Sequence, residues 1–458
     1  MLNIENFFQK ITEKIAQFHL TISREMARFS KTREVLTSQN AEIFRDTNGD
    51  AAPKGQSNIG TEKIASFCPY CKSDKFVKRG TRKKKLETVQ LYLCGDCKRT
   101  FTAQFIKGKH FPMNLIIEGL NYYNLGFGLE ETCRLLGQKF GVPVPNLPSV
   151  EAESRIAPEP STLANWIKEY SQLCRYSRLR PFAIKMYKPQ DTVETTNMAH
   201  RQIYRFRYHR AKMQLVLQEF KNHRFGPLKE YLDAVSSETP HQYFQDGLRI
   251  SEIKTKFDKA QMIIRGKHNY ANELAKFVLQ SVKENKFRHE ALQRFFIAND
   301  SVTVASEVPV YIKKEDIEHL QNQLGFKVLD DGVIMVKGDK RKWDFASKTG
   351  STSARGRLLT GHIDLVQVRN GMIHLLDYKP NAAKEKPIEQ LTWYALALSR
   401  LTGLRLYEFK CGWFDEKDYF EFYPLHVVYK IKDRKKKKVR FKTGTVVEVP
   451  EENEIKMV

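Results

Sequence analysis

Apolar residues recur along this chain at two different periods, and the change of period marks its parts. Over residues 2–29, Ile4, Phe8, Ile11, Ile15, Phe18, Ile22, Met26 and Phe29 are spaced by threes and fours, the stripe of an amphipathic helix. Such a stripe serves equally to join copies of the chain into a homo-oligomer or to dock on its own body. Helical spacing returns from residue 114 to Tyr123. It breaks at a Gly-rich turn over 124–128 and resumes through Phe140. Ser161 then reads as the cap of a third helix carrying Leu163, Trp166, Ile167 and Tyr170. Strand alternation takes over at 202–210, with Tyr204, Phe206 and Tyr208 on one side and Arg205, Arg207 and His209 on the other. A second strand is predicted over 302–312, where Glu307 is the one acid and Pro309 is a cue to an edge position.

The clearest local signal is a hairpin centred on Asn370-Gly371, because a type I′ turn needs positive φ at both central residues. Counting outwards sets Val368 opposite Ile373, Val366 opposite Leu375 and Asp364 opposite Asp377. Facing side chains have Cβ atoms about 4.5–5.5 Å apart, so two acids there repel unless something neutralises them. A hard divalent cation does so through carboxylate oxygens. Lys379, two residues past Asp377, shares its face. Ile388, Leu391, Ala395, Leu398 and Leu401 then mark a helix, on which Gln390 and Tyr394 lie four apart on another face. Two acids, a lysine and a metal suit phosphodiester hydrolysis: the carboxylates hold Mg²⁺ or Mn²⁺ and the lysine orients the attacking water. A surface hairpin with two solvated acids is the plainer alternative. Ile363, Leu365, Leu375 and Leu376 beside the acids argue that this hairpin is buried.

Composition narrows the partners. Over 458 residues, 77 Lys and Arg face 53 Asp and Glu, a net charge of +24, which favours a polyanion. No apolar run reaches the roughly 18 residues of a membrane span, and no signal peptide is visible at the start. Cys68 and Cys71, then Cys94 and Cys97, form two CxxC pairs separated by 22 residues. Four thiolates in two knuckles make a closed, structural Zn²⁺ site rather than a disulfide framework. Between Cys68 and Lys109 there are 12 basic residues against 3 acids, and Lys83, Lys84, Lys85 and Arg99 are candidate phosphate contacts. Arg205 and Arg207 are further DNA-binding candidates. Residues 430–442 hold nine basic residues and one acid, either an arm on DNA or a solvated flank. Cys411 stands alone, so no C-terminal iron–sulfur cluster is expected.

The Asp364, Asp377-x-Lys379 and Gln390-x-x-x-Tyr394 pattern resembles the PD-(D/E)xK nucleases, in particular the RecB-like branch with its QxxxY helix. Ile363 stands where a proline usually precedes the first acid. The resemblance implies an α/β three-layer core with a mixed sheet, in which Gln390 and Tyr394 act beside the catalytic Asp364, Asp377 and Lys379. It also implies a metal-binding histidine after a glycine on a helix. His268, after Gly266, is the candidate, with His289 as its rival. A strand glutamate, here Glu307, would complete the metal site. Upstream, the cysteine module with its Cys-Lys-Arg-Thr-Phe ending, followed by Ser161-Thr162-Leu163 and Trp166, resembles the front end of insertion-sequence transposases over about residues 64–175.

The expected organisation is therefore multidomain: an N-terminal helical segment (1–45), a linker (46–63), a zinc ribbon (64–107), an all-α helix-turn-helix region (108–175), a basic connector (176–253), the nuclease core (254–430) and a basic tail (431–458). The expected function is a Mg²⁺-dependent deoxyribonuclease, in the cytoplasm and associated with the nucleoid of a prokaryote. The alternatives are a mobile-element protein that cuts and joins DNA ends, and a DNA-binding regulator with an inactive nuclease fold.

Overall fold

A computed structural model describes residues 68–83, 88–102, 111–140, 157–174, 178–254, 257, 265–282, 284–326, 328, 333–336, 342–344, 358–429, 439–440 and 446–447. Chain contacts divide the protein into two units, Met1–Glu62 and Lys63–Val458, and every described residue belongs to the second. The amphipathic stripe of residues 2–29, the linker, Lys84, Lys85 and, apart from residues 439–440, the basic run over 430–442 lie outside the described residues.

The first described module is a small antiparallel sheet of β1 (Phe76–Lys83), β2 (Thr88–Cys94) and β3 (Thr100–Thr102). Its core is minimal: Phe76, Tyr92 and Phe101 pack ring against ring at 5.5–5.6 Å beside the buried Cys68 and Cys94. So few apolar side chains make a small core for a fold of this size, and small modules of this kind need a further cross-link.

The remainder is built on a mixed nine-stranded sheet. In spatial order its main path runs β4 (Val193–His200), β5 (Gln202–His209), β7 (Thr303–Lys313), β8 (Leu358–Arg369), β9 (Met372–Tyr378), β10 (Phe409–Phe414), β11 (Tyr419–Phe422) and β6 (Arg265–Lys267). The two-residue strand Leu248–Arg249 pairs parallel with the start of β8. The β8–β9 hairpin turns on Asn370 (φ 54°) and Gly371 (φ 70°), the left-handed pair that a type I′ turn demands. Its register is the counted one, from Arg369–Met372 through Val368–Ile373 and Val366–Leu375 to Leu365–Leu376. β9 and β10 are parallel, so their connection must cross over, and helix α8 (Ile388–Thr402) makes the crossing. Pro309 does not put β7 at an edge. β5 pairs with β7 only at Ser306 and Ala305, so the missing N–H of Pro309 leaves no ladder bond broken on that side.

Both faces of the sheet are covered. On one side Val366, Val368, Ile373 and Leu375 pack in a cluster with Leu391, Trp393, Leu396 and Leu398 of α8 and Leu228 and Leu232 of α5 (Gly226–Glu238). On the other, Leu365, Leu376 and Phe414 join a second cluster with α6 (Tyr270–Leu279) and α7 (Arg288–Asn299). Each fully buried Leu or Trp in these layers contributes about 1.5–3 kcal/mol against exposure.

That second cluster bears on the expected organisation. It also contains Leu115, Ile116 and Leu120 of α1 (Met113–Leu125), Leu136 of α2 (Leu129–Phe140), and Leu163 and Trp166 of α3 (Pro160–Glu169). The helical region is thus part of the same core as the sheet rather than a separate body. Buried Glu118 of α1 is pinned by Lys139 at 3.2 Å and by Arg294 of α7, and their charges outweigh burial and hold its carboxyl below the usual range. Asn299 of α7 donates to Asn121 at 2.6 Å. Strands β4 and β5, in turn, come from the segment expected to be a connector. α3 also begins two residues earlier than its predicted cap implies. Glu159 occupies the N-cap and Pro160 the first turn, where its fixed φ and absent N–H fit, so Ser161 lies inside the helix. No helix among the described residues is long and apolar enough to cross a membrane.

Candidate active site

The β8–β9 ladder stops at Leu365–Leu376, and the next residue on each strand is an acid, Asp364 and Asp377. The β7–β8 register, Ile363 to Val308 and Leu365 to Ser306, sets Glu307 beside Asp364. Three carboxyls therefore lie on three adjacent strands. Glu307 adopts φ 50°, a left-handed conformation that a non-glycine residue holds only when its surroundings enforce it, a form of strain that gathers at functional sites. Gln293 of α7 donates to its Oε1 at 2.6 Å.

These acids share a cleft of about 320 Å³ with His289, Lys379, Gln390, Tyr394, Tyr204, Arg249 and His362. Lys379 Nζ stands 3.0 Å from Asp377 Oδ2, and His289 Nδ1 stands 3.3 Å from Asp364 Oδ2. The backbone N–H of Tyr378 donates to Asp364 Oδ2 at 3.2 Å, which fixes that carboxylate at the mouth of the hairpin. From α8, Gln390 Nε2 donates to Tyr394 Oη at 2.9 Å. Tyr394 lies so close to β8 that a Cβ on Gly361 would fall 2.4 Å from its ring, so only glycine fits beneath it.

Electrostatics separate the two aspartates. Burial pushes Asp377 well above the usual carboxylate range, and the charge of Asp364 pushes it further against the pull of Lys379. Burial acts on Asp364 in the same sense. There the hydrogen bond and charge of His289, with help from Asp377 and Lys379, prevail and hold it low. Of the crowded pair, Asp364 is thus the more readily ionised. Burial and the neighbouring Asp364 push Glu307 up to about 8. His289 and Lys379 are both raised: burial opposes their charge, but the acids beside them overcome it.

The residues fit a divalent cation. Asp377 is 3% exposed, and beyond the Lys379 ammonium at 3.0 Å its Oδ2 has no aligned hydrogen-bond partner among the described residues. A buried carboxylate oxygen met by one ammonium, beside two more acids, is an oxygen-ligand set of the kind Mg²⁺ and Mn²⁺ take. The four cysteines form a tighter group. Sγ of Cys68 is 3.6 Å from that of Cys97, Cys71 is 3.5 Å from Cys94, and all four sulfurs lie within 4.8 Å of one another. Tetrahedral Zn–S bonds of about 2.3 Å require sulfurs about 3.8 Å apart, so this cluster can hold a structural metal such as zinc. The thiols split. The backbone N–H of Cys97, with that of Asp96, outweighs desolvation and brings Cys94 down to about 6. At Cys71 the Ser73 backbone N–H is outweighed by desolvation and the neighbouring sulfurs, which push it up to about 12. Among the described residues no other three ligating groups come so close together, the acids of the cleft included.

Of the other residues singled out in the sequence, His268 is not at the cleft. It is exposed and paired with Glu273 at 2.7 Å, just past β6, which stands three strands beyond β9, about 14 Å away. His289, the rival, is the histidine the fold delivers. Arg205 and Arg207 do not form a free basic face, because Glu290 takes both, Arg205 at 2.7 Å, and Arg207 is buried. Arg99 is exposed, its guanidinium 5.2 Å from the centre of the Tyr70 ring. Lys83 lies at the end of β1, and its side chain is not among the described ones. Sequence reasoning missed the histidine line His241–His200–His362, joined by two contacts of 2.8 Å. His362 was legible as the residue two before Asp364 on one strand face. His200 and His241 were not, being more than 120 positions away. Comparison with protein-family models, curated proteins and solved structures finds no match to this chain.

Proposed function

We propose that this chain is a Mg²⁺- or Mn²⁺-dependent nuclease that hydrolyses phosphodiester bonds of DNA, with a PD-(D/E)xK core of the RecB-like kind. One observation carries the reading: Glu307, Asp364 and Asp377 from three neighbouring strands converge with Lys379 in one cleft. Asp364, Asp377 and Glu307 would hold the cation, which when bound supplies Lewis-acid stabilisation and an activated water. Lys379, held by Asp377, orients that water and offsets charge on the phosphate. His289 keeps Asp364 ionised and aimed into the cleft. Tyr394, braced by Gln390 and by the Gly361 backbone, forms the wall against which the strand lies.

The Cys68–Cys97 module is, on this reading, a zinc ribbon, and α1 to α3 a helix-turn-helix that has fused with the nuclease core. α3 buries Leu163 and Trp166 and leaves Ser161, Asn165 and Lys168 exposed, a polar face suited to a DNA groove. Incubation of labelled plasmid and single strands with Mg²⁺ or Mn²⁺ tests the whole reading. Wild-type protein is expected to cut, EDTA to stop it, and Asp377→Ala and Lys379→Ala to lower the rate by at least a hundredfold. Joined products would favour a mobile-element strand-transfer enzyme. Cutting that continues unchanged in both variants would remove the site assignment.

A further inference from the structure

We propose that Arg249 anchors the phosphate next to the scissile one, so that the cleft grips two successive phosphates of a single strand; this rests on the nuclease reading above. A cleft lined by three acids repels a polyanion unless cations answer it. Among the described residues that line it, only Lys379 and Arg249 carry a permanent positive charge, and Lys379 is already held by Asp377. Arg249 is not tied to the three acids. Its Nη2 donates to Tyr204 Oη at 3.0 Å, and Glu252 stands 3.9 Å from Nη1, outside hydrogen-bond range. A guanidinium has five N–H donors, so most of its capacity is unspent among the described residues.

The fold also places this arginine. Leu248–Arg249 pairs with Leu359 and Thr360 at the start of β8, so the backbone of Arg249 is fixed to the same strand that carries Asp364. From Thr360 to Asp364 that strand advances four residues, about 13 Å. The Arg249 side chain spans part of that distance, and Tyr204 braces it. The Tyr204 ring stacks on His362 at 3.5 Å and 8°, between the two ends of the cleft. A planar donor fork held on a sheet and fixed by a stacked ring is the arrangement that binds phosphate in two contacts at once. A basic contact beside an aromatic pair is also how single strands are tracked.

The test uses the full chain with short DNA strands in which one phosphate at a time is replaced by a neutral methylphosphonate. Wild-type protein should show a KM roughly tenfold or more higher when the linkage beside the scissile one is neutral, the size expected for losing a charged hydrogen-bond pair. Arg249→Ala should show that higher KM on unmodified DNA, with a smaller change in kcat, and should no longer respond to the neutral linkage. Arg249→Lys should recover part of the effect, because a point charge lacks the fork. An Arg249→Ala protein that responds to the neutral linkage as wild type does overturns the proposal. If wild-type protein cuts nothing with either metal, the nuclease reading fails by itself. Equilibrium binding of the same strands then decides Arg249 separately: interference at one linkage, lost in Arg249→Ala, supports the contact, and identical binding by both proteins overturns it.

Discussion

At the scale of single residues, the acids gathered in the cleft cost the fold stability. Glu307 is the sharpest case. Its folded-state pKa, about 8, stands above the roughly 4.3 of an unfolded glutamate, so between those values the folded chain binds more protons than the unfolded one. The stability this residue contributes is full below pH 4.3 and is lost as pH rises towards 8. Glu307→Gln, which is neutral throughout, is expected to melt about 2–4 °C above wild type at pH 8 without divalent metal and close to it at pH 5. A wild-type advantage at pH 8 would contradict this. Gly361 makes a different prediction. A methyl group 2.4 Å from the Tyr394 ring, with sheet backbone on one side, has no room, so Gly361→Ala must displace Tyr394. The expected result is a stability loss of about 1–3 kcal/mol by denaturant titration and a nuclease rate down at least tenfold. An unchanged rate would mean that Tyr394 has no part in the chemistry.

Elements were legible in the sequence wherever local chemistry dictates them. Asn370-Gly371 fixes its turn because the φ values of that turn exclude most other residues, and the turn then fixes which acids face each other. The cysteine knuckles are equally local. With their small core, removal of metal by chelation, or Cys71→Ser, is expected to open residues 68–102 to proteolysis at their many lysines and arginines while the sheet domain stays resistant. Equal resistance with and without chelator would show that no metal holds the module. Local chemistry failed where two elements compete. His268 and His289 both sit near the start of a helix, and only the packing of α7 against β7 and β8 decides that His289 meets Asp364. Likewise, the alternation of residues 202–209 correctly gives a strand with Phe206 and Tyr208 buried. It could not show that Glu290, 83 residues beyond Arg207, would take up its arginines.

For the molecule as a whole, the helical region and the sheet domain are not separate bodies, because the apolar faces of α1 and α3 share one cluster with Leu365 and Leu376. Deleting residues 1–175 would uncover that face of the domain. The shortened chain is expected to be insoluble or to melt non-cooperatively, whereas an independent nuclease domain would keep a sharp transition. The charge of +24 acts at the same scale. DNA affinity is expected to fall about a thousandfold between 50 and 200 mM salt if six or more phosphates are neutralised. A flat salt response would remove the polyanion from the account.

The sequence by itself determined what depends on neighbours in the chain: the turn, the register that pairs Asp364 with Asp377, the placing of Lys379 and Tyr394, and the two cysteine knuckles. Such features follow from φ limits, the two-residue pleat and the pitch of one helix. Tertiary structure alone decided which histidine, which glutamate and which arginine complete the cleft, and that the helical region belongs to its core. Those choices rest on how strands 50 to 160 positions apart pack together. The energy of that packing is spread over many buried side chains, and no short stretch encodes it.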